Sequence, residues 1–87
     1  MNARTAVHMD MDQMIAQLEQ GLLTAQSYIK YCAARAKACA HLNEMERHVA
    51  NGVEAREMEI KIYRELKELK ATRAALDSIE EDDHAGI

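Results

Sequence analysis

Met11 to Cys39 reads MDQMIAQLEQGLLTAQSYIKYCAARAKAC. Its apolar and small residues fall at Met11, Ile15, Leu18, Leu22, Ala25, Ile29, Cys32, Ala36 and Cys39, in steps that alternate four and three without a break. That alternation is the heptad signature of a helix whose apolar stripe packs lengthwise against another helix.

Past Cys39 the rhythm slips. Leu42, Met45 and Val49 follow with a step of three where four is due. A slip of that kind overwinds a coiled coil locally or moves the contact to a neighbouring stripe. Asn51-Gly52 then reads as the stop of the first helix, because glycine, and less often asparagine, closes a helix C-terminus. Arg47 and His48 fall in what is then its last turn, where cations suit the dipole. The alternating strands that would make Asn-Gly a β-hairpin turn are missing on both sides, so the expected connection is a short helix-to-helix loop.

A second helix is expected from about Glu54 to Ile79. Glu54, Glu57 and Glu59 open it with favourable negative charge. Its seam is Ile62, Leu66, Leu69, Arg73 and Leu76, again in steps of four and three, with an arginine in an apolar stripe. Glu57 with Lys61, Arg64 with Glu68 and Arg73 with Asp77 are opposite charges four apart and mark a solvated face. Four acids in a row, Glu80 to Asp83, disfavour a helix C-terminus, so residues 80–87 are expected to be an acidic, disordered tail.

The resulting expectation is one all-α domain over residues 1–87, an antiparallel helical hairpin with coiled-coil-like packing. Residues 1–10 form a loose arm, residues 11–50 helix one and residues 54–79 helix two. Gly21 is a candidate kink, since glycine in a helix interior costs about 1 kcal/mol relative to alanine. Helices of about 60 and 39 Å do not match in length. Residues 9–20 therefore either overhang the partner helix or form a separate short N-terminal helix. A two-helix hairpin buries too little to be stable alone, which predicts that the core is completed in an oligomer or complex.

Composition agrees. The 87 residues are 48% apolar and 30% charged, with no Pro, Trp or Phe. Tyr28, Tyr31 and Tyr63 are the aromatics. A net charge of −4 argues against nucleic-acid binding, which draws on surplus Lys and Arg. The opening Met1 to His8 lacks the apolar core of a secretory signal, and no stretch approaches the ~20 apolar residues of a membrane span. A cytoplasmic protein is expected, without membrane insertion.

Chemistry-bearing residues are sparse. On one helix Cys32 and Cys39 are about 10.5 Å apart along the axis, beyond the roughly 7 Å a disulfide spans. They also lack metal-ligand spacing, so they read as small core residues. His8, His41, His48 and His84 are scattered. Asp10 and Asp12 have no desolvated pocket to tune them. No catalysis, metal or cofactor is expected. The small run Ala33 to Ala40 suits close helix approach. Met1, Met9, Met11 and Met14 crowd the N-terminus, and methionine suits surfaces that adapt to partners. Tyrosine anchors interfaces with a buried ring and a wet hydroxyl. The residues expected to carry association are Ile29, Cys32, Tyr63, Leu66, Leu69 and Leu76 on the seams, with Met11 and Met14. Arg73 is read as snorkelling its stem outward.

From Ala25 to Ile79 the chain resembles the small needle-subunit co-chaperones of bacterial type III secretion (YscE/PscE-like). The residues that carry the resemblance are the turn Arg47-His48-Val49-Ala50-Asn51-Gly52 and the closing stripe Glu65 to Ile79. The segment Met1 to Gln20 and the acidic tail depart from that plan, and the aromatic position early in the second helix is met only by Met58 or Tyr63. The resemblance implies a non-catalytic co-chaperone that binds a tetratricopeptide-like partner chaperone and helps hold a needle-type secretion subunit before export. The alternative is that the heptads pair with a second copy. The result would be a homodimeric four-helix bundle acting as a small regulatory or phage-type inhibitor of a host protein.

Overall fold

The structure is a computed structural model that describes the backbone of residues 3–85 and the side chains of residues 10–80. Two helices make up the fold: α1, Ala3–Ala38, and α2, Leu42–Ala85. They pack side by side as an antiparallel hairpin about 70 Å long, 20 Å wide and 13 Å thick.

The first seam is used as the heptads predict. All nine positions from Met11 to Cys39 are buried or half-buried, while the positions between them are largely exposed. Lengthwise packing with a 4-3 period is the geometry of an antiparallel coiled coil.

The turn lies elsewhere than expected. Cys39, Ala40 and His41 connect the helices, and α2 runs straight through Asn51-Gly52. The Cys39 amide donates to the Ala36 carbonyl at 3.4 Å, and the Met45 amide donates to the His41 carbonyl at 3.1 Å. That places His41 at the N-cap position of α2. No described residue has a positive φ, so the reversal uses no left-handed residue. Arg35 and Lys37 in the last turn of α1, and Glu44 in the first turn of α2, complement the two helix dipoles that meet here.

The physical reason is seam matching. A turn at 51–52 would leave about 40 helical residues against 26, with a third of the first stripe uncovered. A turn at 39–41 gives helices of 36 and 44 residues. The α2 seam then runs Met45, His48, Gly52, Ala55, Glu59, Ile62, Leu66, Leu69, Arg73, Leu76 and Glu80, all buried or half-buried, in an unbroken 4-3 rhythm. Burial along this length outweighs the ~1 kcal/mol that helical Gly52 costs.

The remaining boundaries are corrected in the same way. α1 passes through Gly21 without interruption, and no separate N-terminal helix precedes it among the described residues. The expected arm is helical from Ala3 to Asp10, with residues 1–2 outside the described residues. Helix two starts at Leu42 rather than Glu54. Its backbone continues past Ile79 to Ala85, so the acidic run 80–83 lies inside the helix. Residues 86–87 are outside the described part.

Register follows from cross-helix contacts. A Cβ on Gly52 would meet the Cys32 Cβ at 3.3 Å, and one on Gly21 would meet Ile62 Cδ1 at 3.6 Å. Arg73 Nε reaches Asp12 Oδ1 at 3.2 Å, and Lys70 Nζ lies 3.6 Å from Glu19 Oε1. Small residues (Cys32, Ala36, Gly52, Ala55) line the seam near the turn. Leu18, Leu22, Ile62, Leu66 and Leu69 fill it farther out. The expected close approach is therefore real, but Gly52 makes it possible, while Ala33, Ala34, Ala38 and Ala40 are exposed.

Candidate interaction surfaces

A hairpin of two helices has two broad flanks, and each carries exposed apolar side chains. At 100° per residue, positions one and five after a seam residue fall on one flank of α2, and those just before it fall on the other. On the first flank stand Leu42, Val49, Val53, Ile60 and Tyr63, all about half or more exposed, with Leu23 of α1 beside them. Shallow grooves run between the helices on this flank, and two of them are chiefly apolar. One, of about 340 Å³, is bordered by Ile29, Ala33, Ala36, Val49 and Val53, with His48 and Arg56 at its rim. The other, of about 180 Å³, is bordered by Leu22, Gln26, Ile60 and Tyr63.

The second flank carries Met14, Tyr28, Tyr31 and Met58, each exposed. Tyr28 and Tyr31 stack with ring centroids 6.1 Å apart and planes 19° from parallel. A groove of about 350 Å³ passes between Tyr28 and Met58, floored by Gly21, Ala25 and Ala55. Glycine at 21 opens it.

Charge is placed unevenly. Glu19 with Lys70 and Asp12 with Arg73 bridge the helices on the first flank at the end remote from the turn. Arg73 also bonds Asp77 one turn along, as the i,i+4 spacing predicts. Its side chain is 23% exposed, so its head does reach the surface, where it is pinned by two acids. Its hydrogen bonds to the Asp77 carboxylate and then to Asp12 raise its pKa. The Tyr28 hydroxyl is also held above its ordinary pKa, chiefly by the neighbouring Cys32 thiol and then by desolvation and the nearby Tyr31 and Glu54. Tyr28 is thus neutral and Arg73 cationic near pH 7. Among the described residues no three His, Cys, Asp or Glu side chains gather in a metal-holding group. No helix is long and apolar enough to cross a membrane among those residues.

The residues expected to bind a partner divide sharply. Cys32 and Leu66 are 1% and 6% exposed and are consumed inside the hairpin. Ile29, Leu69, Leu76 and Met11 are half-buried on the same internal seam. Only Tyr63 and Met14 face outward, and they lie on opposite flanks. The seams of the two helices are set against each other inside the hairpin. Leu42, Val49, Val53 and Ile60 were missed as a surface. Their signal was present in α2 as a second stripe beside the seam, but it emerges only once α2 is known to begin at Leu42.

No family model matches the chain, and neither a curated protein nor a solved structure does.

Proposed function

We propose that the chain is a non-catalytic, protein-binding helical hairpin. The observation that carries this reading is its surface. The chain exposes 6763 Å², against about 5200 Å² for a compact monomer of its mass. The large exposed apolar side chains gather on the two flanks, and exposed apolar patches rimmed by polar residues mark protein interaction sites.

The finer reading is a co-chaperone in type III secretion. The hairpin form and the closing stripe Glu65 to Ile79 support it, whereas the turn residues of the resemblance lie within α2. In this reading the groove between Tyr28 and Met58 receives a helix of a tetratricopeptide-like chaperone, which shares the burden of holding a needle-type subunit. Tyrosine and methionine suit such a contact because they combine large contact area with adaptability. A four-helix bundle of two copies is the second reading, favoured by the apolar stripe on the opposite flank.

Calorimetric titration with a tetratricopeptide-type secretion chaperone tests the first reading. Binding with a negative heat-capacity change, weakened by Met58→Glu, is the expected result. Absence of heat and of co-purification on co-expression sinks the co-chaperone reading.

A further inference from the structure

We propose that the exposed stripe of α2 from Leu42 to Ile60 pairs with the same stripe of a second copy, antiparallel, about a two-fold axis beside residue 51. This concerns the flank opposite the Tyr28–Met58 groove and does not depend on it.

Leu42, Glu46, Val49, Val53, Arg56 and Ile60 follow one another in steps of four and three, so they form a second heptad seam on the outer flank of α2. All six are exposed. The order is self-complementary about residue 51. Leu42 and Ile60 stand nine positions either side of it, Glu46 and Arg56 five, and Val49 and Val53 two. In an antiparallel pair, positions equidistant from the axis face each other. Leu42 then meets the second copy's isoleucine, Val49 its valine, and Glu46 its arginine.

Neighbouring registers fail. A shift of one heptad one way sets Glu46 against Val49. A shift the other way sets Val53 against Arg56 and Leu42 against Lys67. A closed two-fold interface requires that the same patch complement itself, and this stripe does so in one register. Arg56 is already held 3.4 Å from Glu59 on its own helix, which aims its charge along this flank.

Area and placement agree. The stripe is about 27 Å long at 1.5 Å per residue. A standard interface takes about 800 Å² from each partner. Leu42, Val49, Val53 and Ile60 on the stripe are each about half or more exposed and available to be covered. The apolar part of the flank ends where Glu19, Lys70, Asp12 and Arg73 begin, so the contact is confined to the half nearer the turn. Shallow grooves beside Val49 and Val53 accept side chains from the second copy.

Charge swapping tests both the contact and its register, read by sedimentation equilibrium of the full chain with helicity followed in parallel. The wild type is expected to be a dimer. Glu46→Arg alone and Arg56→Glu alone should each weaken it by about tenfold or more through like-charge contact, and the double variant should recover most of that loss. Met58→Glu, on the other flank, should leave the dimer intact. All three positions are exposed, so helicity should hold throughout. A wild type that stays monomeric at all concentrations overturns the proposal. So does a dimer that ignores both single swaps, a double variant that fails to recover, or a dimer lost in Met58→Glu.

Discussion

Gly52 lies so close to Cys32 that a methyl group added at position 52 would sit 3.3 Å from the Cys32 Cβ. The atom it meets is anchored to the backbone of α1, so relief requires the helices to part. Gly21 differs, because its added methyl would meet Ile62 Cδ1, the end of a flexible side chain, at 3.6 Å. Both glycines are helical, and replacing either by alanine offers about 1 kcal/mol of helix propensity. Gly21→Ala should therefore stabilise the hairpin by about that much. Gly52→Ala should gain nothing or lose about 1 kcal/mol. Urea denaturation of the two variants side by side decides the point. Equal stabilisation of both would mean the helices are not closely packed at Cys32.

Leu66 and Tyr63 are three residues apart but face opposite surroundings. Leu66 is 6% exposed and Tyr63 is 61% exposed. Leu66→Ala should cost about 2–3 kcal/mol, the lower part of the range for buried leucines, since a two-helix core can close partly around the gap. Tyr63→Ser should change hairpin stability by less than about 0.5 kcal/mol. Thermal melts at a concentration that keeps the association state constant provide the measurement.

The thiols should separate by rate. Cys32 is buried on the seam, whereas Cys39 is partly open at the turn. A disulfide reagent should modify Cys39 first, and Cys32 only as the hairpin opens. Denaturant should abolish the difference. Equal rates in native buffer would place Cys32 outside the interface.

Arg73 interrupts an otherwise apolar stretch of the α2 seam. Its ion pairs with Asp77 and Asp12 lie at the surface, where such pairs are worth at most about 1 kcal/mol. Arg73→Leu extends the seam by one apolar residue and should leave stability unchanged or raise it slightly. The salt dependence of stability should diminish in the same variant. Paired urea titrations at low and high salt test both expectations.

Tyr28 supplies a pH signature. Its folded-state pKa is raised, chiefly by the Cys32 thiol. Its contribution to stability is therefore complete below the ordinary tyrosine value of about 10, and is lost as pH rises through the raised folded value. In an ultraviolet titration one phenol should ionise later than in the unfolded chain. Cys32→Ala should bring it back toward ordinary behaviour.

Periodicity made much of this fold legible. The seam from Met11 to Cys39 needs no tertiary knowledge, because a helix of this sequence has one apolar stripe and must cover it. The half of the second seam from Ile62 to Leu76 was equally plain. Between them, His48, Gly52 and Glu59 disguised the continuation. A histidine, a glycine and a glutamate do not look like seam residues, and Asn51-Gly52 looks like a stop. The exposed stripe from Leu42 to Ile60 stayed hidden with it, since its phase is defined only relative to the seam beside it.

The sequence by itself determined that the chain is helical, that it folds back once and that α1 presents the Met11-to-Cys39 face inward. Those properties depend on residue spacing along a single helix. Only the tertiary structure decided where the chain turns, because that choice compares two whole seams. Reversal at residues 39–41 matches their lengths and lets Gly52 meet Cys32, whereas reversal at 51–52 strands part of the first stripe in water. The same comparison decided which apolar residues remain outside, and with them which flanks can receive a partner.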